Sequence, residues 1–177
     1  MKRLLLLRHA KAERDSENGD QGRKLNARGR DDSARMGAFL HVKGWTPDCV
    51  LSSPSARTAE TWELVAAELP QAADAQFLEA LYLASWKAML NLIRHHADDD
   101  AKTLLVIGHN PGLEELALAL AQKPDSEEMR AQLGAMREKF PTCALAAFDC
   151  DIAHWRELAA GGCALAAFVR VKELKSS

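Results

Sequence analysis

The sequence predicts an α/β fold: a three-layer sandwich with a mostly parallel central sheet, antiparallel edge strands near the C-terminus, and helices on both faces. Three observations predict it. Three apolar runs break abruptly at polar residues: Leu4-Leu5-Leu6-Leu7 before Arg8-His9, Val50-Leu51 before Ser52-Ser53-Pro54, and Leu104-Leu105-Val106-Ile107 before Gly108-His109-Asn110-Pro111. Short continuous apolar runs between turn signals have the pattern of strands buried on both faces. Helical periodicity alternates with these runs, and the last third of the chain changes to strands joined by tight turns, which adds an antiparallel edge to a parallel sheet. At 177 residues the chain is expected to form one domain, 1–177, with a substantial core.

The elements follow in order. Residues 3–7 read as the first strand, and the polar stretch 10–27, with Lys11, Glu13, Arg14, Asp15, Asn18, Gly19, Asp20 and Gly22, reads as a long loop over its end. Residues 29–43 follow helical period, with Ala34, Ala38, Leu40 and Val42 near one side and Gly44 as the stop. Cys49–Leu51 is the second strand. Ser53-Pro54 then has the form of a helix start, serine as N-cap and proline at the first helical position, for a helix running to about Leu69 before Pro70. A third strand is expected near Gln76–Leu83 and an amphipathic helix over 85–96, ended by Asp98-Asp99-Asp100. Residues 102–107 form a clear strand; Asn110-Pro111 repeats the cap-plus-proline signal ahead of a helix at about Leu113–Gln122, and 125–138 is helical. Thr142–Phe148, a short stretch around Trp155–Leu158, and Ala164–Val171 are expected strands.

Composition narrows the function. The chain is 47% hydrophobic and 27% charged, as in an ordinary globular protein, and its net charge is −2. It therefore has no global basic field for nucleic acid or an anionic membrane, and neither is expected as a partner. Any anion must be captured locally. Cys49, Cys143, Cys150 and Cys163 show no metal-ligand spacing and are expected to be free, mostly buried thiols. Four leucines after Met1-Lys2-Arg3 are too few for a signal-peptide core, and no run approaches the ~20 apolar residues of a membrane span, so a cytoplasmic location is expected.

In an open α/β sheet, ligands bind beyond the carboxyl ends of the strands. Arg8, His9, Arg57 and His109 lie far apart in sequence but all fall at or just beyond such ends. Cations at Arg8 and Lys11 lower the pKa of His9 and keep it neutral at pH 7, with a lone pair able to attack phosphorus. Arg57 in the first turn of a helix conflicts with the positive end of the dipole, and a bound anion removes that conflict. His109 and Asn110 repeat the strand-end, helix-start geometry. Together they would hold the equatorial oxygens of a phosphoryl group in flight. His95-His96 read as a solvated helix end, His41 and His154 as structural, and the four tryptophans as packing.

Leu7-Arg8-His9-Ala10 resembles the Arg-His-Gly signature of the histidine phosphatase (phosphoglycerate mutase-like) superfamily. The whole chain resembles its SixA-like phosphohistidine phosphatase branch, through Arg8–Ala12, Lys24–Arg30, Ser52–Thr61, Gly108–Leu113, Phe140–Ala144 and Trp155. That resemblance implies a hydrolase that uses neither metal nor cofactor, with His9 as the nucleophile that becomes phosphohistidine. Arg8, Arg57 and His109 are implied as the phosphate pocket, assisted by Asn110 and Lys11. It places the general acid in a Leu-x-Glu stretch, for which Phe77-Leu78-Glu79 is the nearest match, so Glu79 is the candidate. Ala10 replaces the signature glycine, which implies that the backbone there need not adopt a positive φ. The chain lacks the insertions that roof the site in mutases and acid phosphatases, which implies an open pocket suited to a phosphorylated protein, such as a histidine-containing phosphotransfer domain. A small-molecule phosphomonoesterase and a non-catalytic phosphate-binding module are the alternatives.

Overall fold

The computed structural model describes residues 1–174. Its elements are β1 (Lys2–Arg8), α1 (Ala27–Lys43), β2 (Cys49–Ser52), α2 (Ala56–Ala67), β3 (Ala75–Phe77), α3 (Trp86–His96), β4 (Thr103–Gly108), α4 (Gly112–Leu120), α5 (Glu127–Glu138), β5 (Leu145–Cys150) and β6 (Cys163–Val169). The strands form one mixed sheet in the order β3-β2-β4-β1-β5-β6. Strands β1 to β4 are parallel, β5 is antiparallel to β1, and β6 is antiparallel to β5. The C-terminal pairings are thus antiparallel as expected, while β6 itself runs in the direction of β1.

The leucine run explains the layering. Successive strand residues point to opposite faces. Leu4 and Leu6 join Leu104 and Val106 beneath α3, α4 and α5, whereas Leu5 and Leu7 join Leu105 and Ile107 beneath α1 and α2. All four leucines are fully buried, each contributing about 1.5–3 kcal/mol by leaving water. A strand with both faces covered by helices has no polar side, hence the unbroken apolar run.

Several expectations are corrected. Ser53 does not cap α2. The amide of Ser53 still bonds to Ile107 O at 3.1 Å, prolonging the sheet pairing, so the chain stays extended through Pro54. The cap is Ser55, whose side chain accepts from Thr58 N. The expected strand at Gln76–Leu83 is only Ala75–Phe77, followed by a 3₁₀ turn at Glu79–Leu81. The stretch around Trp155 is also a 3₁₀ turn, Trp155–Glu157, because its indole packs into the core and leaves no strand partner. Cys150 and Cys163 are joined in a disulfide rather than free. They face each other directly in the β5–β6 register, which sequence spacing does not reveal. Among the described residues no helix is long and apolar enough to cross a membrane.

Candidate active site

The site is assembled where β1, β2 and β4 end. The amide of His9 bonds to Gly108 O at 3.2 Å, tying the residue after β1 to the last residue of β4. The Pro141–Cys143 turn closes the other side: Cys143 N donates to the carbonyls of both Arg8 and His9, at 3.1 Å each. Cys143 holds a positive φ of 59° to make that contact and is buried, which pushes its thiol pKa up. It is therefore a structural thiol. Gly29 allows α1 to approach the loop, since a Cβ there would sit 2.0 Å from Lys11 O.

His9 is 7% exposed and forms part of the wall of a solvent-open cavity of about 500 Å³. Its Nδ1 lies 2.8 Å from the carbonyl oxygen of Ala10. A carbonyl can only accept, so Nδ1 carries the proton and Nε2 is left with a bare lone pair. Burial lowers the His9 pKa to about 3; His109, Arg57 and Arg8 push the same way, while the Ala10 carbonyl opposes them. Desolvation, rather than the neighbouring cations expected from sequence, is the main cause of the shift.

His109 is likewise neutral, lowered to about 4 by burial and then by Arg57. The His9 and His109 ring centroids are 5.2 Å apart. Arg57 Nη2 lies 3.4 Å from His109 Nδ1, and His109 Nε2 lies 2.8 Å from Ser53 Oγ. In this state both nitrogens of His109 have protein partners: Nδ1 accepts from Arg57, and Nε2 donates to Ser53. A hydroxyl can also donate, so Ser53 supports the opposite tautomer, which would turn an N–H of His109 toward Arg57 and the cavity.

Arg57, the second residue of α2, is 3% exposed. Arg8 donates through Nη1 to Phe140 O at 2.9 Å, and Asn110 Nδ2 donates to the same carbonyl at 3.2 Å. Asn110 also spans the start of α4, donating to Glu114 Oε2 at 3.0 Å and accepting from Glu114 N at 3.3 Å. Its role in this state is to hold the β4–α4 turn. Lys11 is exposed on the cavity wall. The structure thus brings together Arg8, His9, Lys11, Arg57, His109 and Asn110 around one cavity. It does not bring in Glu79, which is exposed on the turn after β3 and absent from that wall. The 3₁₀ turn that replaces the longer strand carries the chain away at Glu79 and returns it at Tyr82.

Sequence reasoning missed the wall or support residues Asp20, Arg23, Tyr82 and Ser53. Asp20 accepts from Arg57 and from Tyr82, the chain's only tyrosine. The tight-turn signal Gly19-Asp20-Gln21-Gly22 and that lone tyrosine were the available cues. Among the described residues no group of three or more histidine, cysteine, aspartate or glutamate side chains is placed to hold a metal.

Comparison with known proteins assigns the class. The model of the histidine phosphatase superfamily (branch 1) matches residues 4–89. The uncharacterized protein Rv1276c of Mycobacterium tuberculosis is 30% identical over 162 residues, covering 92% of this chain and 98% of that protein. A chloroplastic Arabidopsis thaliana protein, At3g52155, is 33% identical over 129 residues, and the match spans 59% of its length. The SixA protein of Agrobacterium tumefaciens superposes with a TM-score of 0.76 at 25% identity, covering 96% of this chain and 97% of that one. The protein histidine phosphatase SixA complexed with tungstate gives 0.77 at 23% identity, covering 98% and 99%. The class is phosphatase, a hydrolase. The chain belongs to the histidine phosphatase superfamily and is SixA-like in fold.

Proposed function

We propose that the protein removes the phosphoryl group from a phosphohistidine of another protein through a covalent phosphohistidine on His9. The observation that carries the proposal is the state of His9. Its ring is neutral, its Nδ1 proton is committed to the Ala10 carbonyl, and its Nε2 is bare in a cavity lined by Arg8 and Arg57.

In the first step Nε2 of His9 attacks phosphorus in line. A new N–P bond forms as the N–P bond of the substrate breaks. The substrate imidazole leaves as a neutral ring when its distal nitrogen is already protonated. Arg8 and Arg57 take up charge on the equatorial oxygens of a loose transition state, and His109 steadies Arg57 or donates directly, according to its tautomer. In the second step water attacks the phosphoenzyme, His9 regains its lone pair, and phosphate is released. A good leaving group lessens the demand for a general acid, which fits a wall without Glu79. No step is routed through a metal or cofactor.

The open cavity supports a phosphorylated side chain presented on a protein surface over a small phosphate that needs enclosure. Release of phosphate should be measured from a phosphorylated histidine-containing phosphotransfer domain and from p-nitrophenyl phosphate. Turnover at least tenfold more efficient on the protein is expected. The reverse order would overturn the substrate class and favour a small-molecule phosphomonoesterase.

A further inference from the structure

Asp20, in a 3₁₀ turn of the long loop after β1, gathers donors from three directions. Arg57 Nη2 reaches its Oδ2 at 3.0 Å and Arg57 Nη1 its backbone carbonyl at 2.7 Å. The Tyr82 hydroxyl donates to the same Oδ2. Arg23 Nη1 reaches Oδ1 at 3.1 Å. Asp20, Tyr82, Arg23 and Arg57 all line the cavity that holds His9. The Tyr82 ring stands edge-on to His109, with centroids 5.4 Å apart, so its hydroxyl belongs to the same rim.

Such a convergence of guanidinium and hydroxyl donors is what an oxyanion requires. Here a carboxylate fills it. With both histidines neutral, the charges at the centre of the wall are Arg8 and Arg57, and Asp20 cancels one of them. A phosphoryl dianion and a carboxylate on one guanidinium repel each other, so both cannot hold Arg57 tightly at once. Half of the Asp20 side chain is exposed and its loop lies outside the sheet, whereas the Arg57 side chain is 4% exposed and fixed in α2. The movable partner is therefore Asp20.

We infer that the Asp20 carboxylate is an internal surrogate for the substrate phosphoryl group: it occupies donors that the phosphoryl group takes over, and it frees the Tyr82 hydroxyl to contact substrate when displaced. This rests on the reading of Arg57 as a phosphate-holding residue. Asp20 thereby sets the affinity of the empty site. It keeps the buried guanidinium neutralised between turnovers, and it sets a threshold that weak anions fail to cross. Tyr82 then contributes a substrate contact from the lone tyrosine of the chain.

The test is calorimetric titration of inorganic phosphate into the full-length protein and its variants. Asp20→Asn is expected to bind phosphate about 3- to 10-fold tighter than wild type, the scale of one half-exposed, charge-assisted contact. Asp20→Ala should behave alike, which covers the case in which asparagine still accepts from Arg57. Adding Tyr82→Phe to Asp20→Asn should lose about threefold or more of that gain. Arg57→Ala should abolish binding. Equal or weaker binding in both Asp20 variants, with binding still dependent on Arg57, would overturn the surrogate alone. Phosphate binding indifferent to Arg57→Ala would overturn the reading of the pocket, and the surrogate with it.

Discussion

The two ends of the sheet treat charge in opposite ways. At the amino end of the parallel strands Lys2, Arg3, Asp48 and Asp99 each have a protein partner. Buried Lys2 donates to the carbonyls of Asp99 and Ala101 at 2.6 and 2.9 Å. Asp99 accepts from Trp155 N at 3.0 Å and pairs with His154 at 2.8 Å, and Asp48 accepts from the amides of Lys102 and Thr103 at 2.9 Å each. Arg3 pairs with Asp149 at 2.7 Å. At the carboxyl end, Nε of Arg8 and Nε of Arg57 are buried without a partner among the described residues, two histidines are held neutral, and one loop carboxylate offsets the cations. Buried donors without partners are rare, because leaving one unmet costs about 1–3 kcal/mol. One end is closed for stability. The other leaves donors unpaired, and the proposed function assigns them to an incoming phosphoryl group.

That contrast is broken or sharpened by substitutions at each end. His9→Ala should reduce phosphatase turnover to background in a steady-state assay, with no comparable loss of stability. Arg8→Ala or Arg57→Ala should lower kcat/KM by about 10²–10³-fold, the scale of one preorganised donor in a dry site.

Acid should act on the carboxyl end as well. His9 and His109 stay neutral in the fold down to about pH 3 and 4, whereas the unfolded rings take protons below their ordinary 6.5. The unfolded state therefore binds more protons across that window, and stability falls as pH drops from about 6.5 toward 4. Urea midpoints at successive pH values should show this, and His9→Ala should remove part of the slope.

At the amino end, Lys2→Met should leave kcat within about twofold but destabilise by about 1–3 kcal/mol in urea unfolding, since two carbonyls lose their donor. Glu79→Gln should have the smallest effect, less than about threefold on kcat.

The difference between the ends also explains what could be read from sequence. Strands β1, β2 and β4 announce themselves because burial on both faces demands unbroken apolar runs, and Arg8, His9 and His109 lie at the very tips of β1 and β4. Position along the chain therefore located them. Asp20 and Tyr82 reach the same cavity from a long loop and from a turn after an edge strand. Their meeting depends on tertiary path, which local pattern does not encode. Glu79 illustrates the converse: a motif places it three residues before Tyr82, which lines the cavity, and a 3₁₀ turn leaves it outside. The Cys150–Cys163 pairing is a matter of strand register. Trp155 looked like a strand residue by type, but its indole donates to Ala101 O at 3.1 Å and anchors the turn instead.

His9 Nε2 is proposed to carry the phosphoryl group between substrate and water. That role is tested most directly by quenching the enzyme in alkali during turnover of a phosphorylated protein and mapping the modified residue by mass spectrometry. An acid-labile, alkali-stable phosphate is expected on the peptide containing His9, absent from His9→Ala. Full turnover by His9→Ala, or a phosphate found on another residue, would contradict it.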